Sequence, residues 1–201
     1  MLHIDQTNLI ETLIDNAAHT IEVPSDMLRT YLMQHVGVDL VTQVQLLHVA
    51  KKHTLDPIAG EIQLSPFKQG WSVMITIDGW MKLINQHPHF QGMSLREPAT
   101  EDANALAWME CCIYRDDRIL PTVVKEYLSE VQTEHESWQQ MPRRMLRHRV
   151  IQQCARLAFG IAAPELGRTG LATGVGPDPI NQADPLVNFA PQHDLSHELN
   201  G

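Results

Sequence analysis

The chain has 201 residues, 43% of them hydrophobic and 19% charged, which suits one globular domain with a small appendage. No stretch approaches the roughly 18 uncharged apolar residues of a membrane span, and the first twenty residues carry Asp5, Glu11 and Asp15 without a basic start, which argues against a signal peptide and for a cytoplasmic protein. The formal charge of −9 would exclude a polyanion partner if it were evenly spread, but both ends are acidic and Trp138–Arg168 holds six arginines against Glu165 alone.

The first fifty residues read as helices. Leu9, Leu13 and Ile14 have helical spacing; Pro24–Ser25–Asp26 starts a second helix over Met27–Val36, which Gly37 ends; Asp39 caps a third that runs to about His53. From Asp56 the period changes to that of strands. Ile62 and Leu64 alternate with polar neighbours, Pro66–Gly70 is turn-like, and Val73, Ile75 and Ile77 alternate again, so a hairpin is expected. Asp78 is placed to cap a short helix, Trp80–Asn85, closed by Pro88. A second hairpin follows, Leu106–Tyr114 and Ile119–Val124, around the turn Arg115–Arg118. Hairpins set between helical segments give an α+β fold: N-terminal helices, an antiparallel hairpin sheet, a packed arginine-rich helix and a flexible C-terminal tail. The expected domain is 1–166, with 1–54 mainly helical and 55–166 the α+β core. Residues 167–201, rich in Gly, Pro, Asn and Asp, form the flexible acidic tail, with Leu186–Phe189 as a candidate docking segment.

The segment Arg143–Ile161 is the most informative. At 100° per residue, Leu146, Val150, Ile151, Cys154, Leu157 and Ala158 share an apolar arc, while Arg149, Gln152, Gln153 and Arg156 share a polar stripe. Arg149 and Arg156 stand about 10 Å apart along the axis, comparable to two phosphates of a stretched strand. The helix has no acid at i+3 or i+4 from either. An ordinary amphipathic helix with a solvated arginine face is the alternative reading. Arg143 and Arg147 fall on the apolar arc, where they either precede the regular helix or enter ion pairs, and Arg147→Ala is expected to lower stability.

Enzyme signatures are sparse. There is no phosphate-binding G-x-x-x-x-G-K-[ST] loop, no G-x-G-x-x-G after a strand and no G-x-S-x-G elbow. The eleven histidines include no H-E-x-x-H, and His87–Pro88–His89 reads as a turn pair. Asp116–Asp117 and Glu101–Asp102 are turn acids that could serve a magnesium-dependent nuclease. The three cysteines form no CxxC pair and are expected to be reduced, with Cys154 a small core residue.

Four blocks in unbroken order carry a resemblance: the DPIAGEI segment beginning at Asp56, the DGW turn at Asp78–Trp80, the Tyr–Arg–Asp–Asp–Arg hairpin at Tyr114–Arg118, and PRRMLRHR…QCARLAFG within Pro142–Gly160. Over roughly 40–163 the chain resembles the RecT/Bet family of phage and prophage single-strand annealing proteins. The resemblance implies an ATP-independent, non-enzymatic protein without a cofactor that coats single-stranded DNA, assembles into rings or helical filaments, and anneals complementary strands through a duplex intermediate. It places DNA contacts on Lys68, Arg143, Arg144, Arg149 and Arg156; the stripe adds Gln152 and Gln153. A family lysine in the DPIAGEI segment is replaced by Gly60. The family's C-terminal domain, which binds an exonuclease and a single-strand binding protein, is expected to be missing, and those two stay candidate partners only. A magnesium-dependent nuclease and a protein-binding scaffold are the competing functions.

Overall fold

The computed structural model describes residues 2–67, 70–99 and 107–163. Three helices come first: α1 (Leu2–Ile21), α2 (Ser25–Gln34) and α3 (Leu40–His53). Asp39 caps α3 as expected, its carboxylate accepting from the Thr42 N–H at 3.0 Å and the Thr42 hydroxyl at 2.6 Å. A hairpin of β1 (Ile62–Phe67) and β2 (Gly70–Ile75) follows, paired from Ile62↔Ile75 to Phe67↔Gly70.

The second strand stops two residues before the alternation suggested, because Thr76 rather than Asp78 caps α4 (Ile77–Gln86). The Thr76 hydroxyl accepts from Gly79 N–H at 3.3 Å and donates to the Gly60 carbonyl at 2.7 Å, so one side chain ties helix start to loop. β3 (Phe90–Arg96) has no counterpart in the sequence reading: its half-buried, non-alternating residues hide a strand signal. It pairs with β4 (Trp108–Arg115), which pairs with β5 (Thr122–Tyr127), giving an antiparallel sheet in the order β3–β4–β5 beside the separate β1–β2 hairpin. The β5 strand begins three residues later than expected. Ile119 is fully exposed and Leu120 nearly so, which leaves both in the connection.

Two short helices, α5 (Leu128–Val131) and α6 (Glu136–Gln140), lead into α7 (Pro142–Phe159), the arginine helix. Pro142 sits where its missing N–H costs nothing, and Gly160, at φ 66°, ends the helix in the left-handed region. The architecture is α+β as expected. The tail from 167 onward lies outside the described residues.

One core joins the parts. Leu28, Leu46 and Leu47 from the helices meet Leu55, Ile62, Ile84, Met109, Ile113, Leu146 and Val150, all of them fully buried. Each such side chain contributes about 1.5–3 kcal/mol. The thiols of Cys111, Cys112 and Cys154 are free and buried. Cys154 donates to the carbonyls of Cys111 and Thr122, both at 3.4 Å, which seats α7 on β4 and β5. Among the described residues, no helix is long and apolar enough to cross a membrane.

Candidate functional site

The apolar side of α7 is Leu146, Val150, Ile151, Cys154, Ala155 and Ala158, all buried. Leu157, expected there, is 65% exposed: burial of Ala155 shows the covered arc to be rotated away from Leu157, which lies at its margin in the last turn. Arg147, expected to be partly buried, is also exposed. Its side chain stands in solvent between the buried Leu146 and Val150, so its removal vacates no core space. The expected loss of stability from Arg147→Ala therefore has no structural basis.

The polar stripe exists, but it is not without acids. Arg149, Gln152, Gln153 and Arg156 are half-buried along one side of α7. With its amide oxygen facing Arg149, Gln153 accepts from Nη2 at 3.0 Å and Nη1 at 3.2 Å. Glu126 of β5 lies near the same guanidinium; burial pushes its carboxyl up, and Arg149 pulls it back. Arg143, inside the first turn, pairs with Glu97 just after β3 at 3.3 Å. Sequence spacing along α7 cannot see these acids, because both come from other elements.

Arg156 does more than face solvent. It donates to the Ala163 carbonyl at 2.6 Å and sits 5.8 Å over the ring of Trp80, thereby tying the residues after α7 to the helix and α7 to α4. Trp80 itself is buried, as a core anchor should be. Arg144 is exposed, its Nη1 4.0 Å from the Met141 Sδ. The structure thus brings Arg143, Arg144, Arg149, Gln152, Gln153 and Arg156 onto one helix. Lys68 lies outside the described residues. His148, half-buried beside Arg144 and Arg147, has its imidazole pKa lowered by burial first and then by those charges, so it adds little positive charge near neutral pH.

The residue missed by sequence reasoning is Arg115. It sits at the end of β4 and donates through Nη1 to the Ala158 carbonyl at the C-terminal turn of α7, where a cation meets the negative end of the helix dipole. Its guanidinium also lies 5.5 Å over Phe159 and grips Asp117, with Nε at 2.8 Å and Nη2 at 2.6 Å from the carboxylate oxygens. Only the alternation of β4 hinted at an inward-facing arginine. The Asp116–Asp117 pair weighed as a nuclease centre is thereby engaged, since Asp116 pairs with His89 at 2.8 Å. The ligand atoms of His89, Asp116 and Asp117 do lie within 4.8 Å of one another, but Arg115 brings its positive charge to the same place.

That contact gives a prediction. Arg115 lowers the Asp117 carboxyl pKa to about 2, so the carboxylate contributes stability above its ordinary range near about 4, and the contribution is lost as pH falls through about 2. In Asp117→Asn the thermal midpoint should fall less between those two pH values than in the parent; equal acid slopes would contradict the ion pair.

Residues 22–166 match the sequence profile of the RecT family. The chain belongs to the RecT family. The match takes in every element from α2 to α7. A curated relative, the Recombination protein bet of Escherichia phage lambda, is 38% identical over 130 residues, which cover 59% of this chain and 47% of the relative. The chain thus spans about half the length of the curated relative it matches.

Within this RecT-family fold, the family-like blocks have identifiable structural work. In DPIAGEI, the Asp56 carboxylate accepts from Ile58 N–H at 2.7 Å, and the Glu61 carboxylate accepts from Asp56 N–H at 2.7 Å and pairs with Lys82 of α4 at 2.6 Å. The DGW turn begins α4 and delivers Trp80 to the core beneath Arg156. The Tyr–Arg–Asp–Asp–Arg hairpin supplies the Arg115 cap. Two of these blocks thus touch the fourth, α7, directly, and DPIAGEI bears on it only through α4.

Proposed function

We propose that this chain binds single-stranded DNA and anneals complementary strands in phage-type recombination, without ATP, a cofactor or an enzymatic step. One observation carries the reading: the arginine and glutamine side of α7, held from below by the sheet and from its C-terminal end by Arg115, lies inside the segment that matches the RecT family. Guanidiniums and amides on one helix side suit phosphates, which they neutralise with release of counterions while leaving base edges available for pairing. Arg149, Gln152, Gln153 and Arg156 are the proposed contacts, with Lys68, Arg143 and Arg144 extending them. The name of the phage lambda relative supports recombination as the setting. A homo-oligomer, ring or filament, in the cytoplasm belongs to the same proposal, with an exonuclease or a single-strand binding protein as candidate partners; residues 1–166 would be the annealing domain and 167–201 a tail.

The test mixes two complementary oligonucleotides with the protein in the absence of ATP and follows duplex formation and light scattering. Faster annealing with large assemblies is expected. Phosphate contacts from these five cations would also cost roughly a hundredfold in single-strand affinity between 50 and 200 mM salt. Strand cleavage in magnesium, or an affinity indifferent to salt, would overturn the reading.

A further inference from the structure

The three-stranded sheet has two faces, and α7 covers only one of them. Trp108, Glu110, Cys112 and Tyr114 of β4 alternate onto the other face. In register beside them stand Tyr127, Lys125 and Val123 of β5, and Arg96, Ser94 and Gly92 of β3. Among the described residues the two tyrosines of this face reach solvent, Tyr114 at 44% and Tyr127 at 43% exposure, while the small Cys112 side chain is buried among its neighbours. Gly92, at φ 145°, stands opposite Tyr114 and sets no side chain against it.

Charge and ring geometry point to the occupant. Lys125 Nζ lies 4.3 Å over the Trp108 ring, and Glu110 is held between Arg96 at 3.5 Å and Lys125 at 3.7 Å. Two cations therefore outnumber one largely shielded carboxylate, on a chain whose net charge is −9. Exposed tyrosine rings, and a tryptophan with Lys125 over one face, beside cations are what a single strand needs, bases stacking on the rings and phosphates meeting the cations. A second copy of this chain fits less well. Its interface would have to desolvate the Arg96–Glu110–Lys125 group in its middle, whereas protein interface cores are depleted of charge.

We propose that this open sheet face is a base-stacking surface for single-stranded DNA, with Trp108, Tyr114 and Tyr127 as the stacking residues and Arg96 and Lys125 as phosphate partners. The Trp108–Tyr127 pair and Tyr114 are about 20 Å apart along β4, so one strand running along the sheet meets both. The proposal rests on the single-strand reading above and adds to it base contacts on the side of the sheet away from α7.

The full chain is tested against oligothymidylate and an abasic oligonucleotide of the same length. The parent binds oligothymidylate more tightly, and the Tyr114→Ala/Tyr127→Ala double variant loses about fivefold or more of that affinity while binding the abasic strand as the parent does. Tyr114→Phe/Tyr127→Phe, which keeps the rings, restores the preference and guards against a folding defect. A double alanine variant that folds and keeps the full preference for bases overturns the proposal. So does one whose only defect is loss of protein assembly without DNA, which would assign the face to a second copy. A parent that binds neither oligonucleotide fails the single-strand reading itself, and this proposal with it.

Discussion

Arg149→Ala is expected to bind a single-stranded oligonucleotide about tenfold more weakly than the parent, because a charge-assisted contact is worth roughly 1.5–3 kcal/mol, while unfolding within a few degrees of it. Arg149 is the cleanest choice on the stripe. It stands on the side of α7 turned away from the core, and its partners, the Gln153 amide and the Glu126 carboxylate, are half-exposed groups that water can satisfy when it is gone. Arg156→Ala would confound the reading, because it also removes the bond to the Ala163 carbonyl and the contact over Trp80. Arg149→Lys separates charge from shape: an ammonium keeps the positive charge but loses the planar fork, so partial recovery of affinity is expected. Affinity and thermal midpoint should be measured side by side for the three chains. An alanine variant that binds like the parent would remove this side of α7 from the DNA path.

The second large effect lies in the core of the DGW turn. A Cβ added at Gly79 would stand 2.0 Å from the Glu61 carbonyl oxygen and 2.9 Å from its carbon, both backbone atoms that no side-chain rotation can move. Glu61 is fixed in turn by its pair with Lys82 and by the Asp56 N–H, so relief requires shifting the start of α4 or the strand end beneath it. Gly79→Ala should therefore destabilise the fold by about 3 kcal/mol or more, at the upper end of overpacking costs. The midpoint would then fall by roughly 10 °C for a chain of this size. Trp80, the next residue, would move with the turn, and with it the ring under Arg156. Single-strand affinity measured well below the midpoint should fall too, although Gly79 faces no solvent path to DNA. A variant as stable as the parent would show that the approach of α4 to Glu61 is looser than this geometry.

How much could be read before folding depended on whether the signal was local. The three N-terminal helices, the Asp39 cap and the first hairpin were legible because period, capping and turn chemistry act over a few residues. The buried arc of α7 was nearly complete for the same reason. The strand Phe90–Arg96 was not legible, since half-buried on both faces it shows no alternation, and the start of β5 was misplaced because Ile119 and Leu120 look like strand residues yet lie in the connection. The stripe residues Arg149, Gln152, Gln153 and Arg156 were legible as a group from angular position alone, whereas the Lys68 expectation falls outside the described residues.

By itself, then, the amino-acid order determined which residues share one side of α7 and where most of the elements begin, because 3.6 residues per turn and cap chemistry operate within a single segment. Which charges on that helix are matched was decided only by tertiary structure. Glu97 reaches Arg143 and Glu126 approaches Arg149 from other elements, while Arg115 crosses from the sheet to the end of α7. Electrostatic attraction depends on distance in space, and residues 43 positions apart, such as Arg115 and Ala158, become neighbours only when β4 and α7 pack.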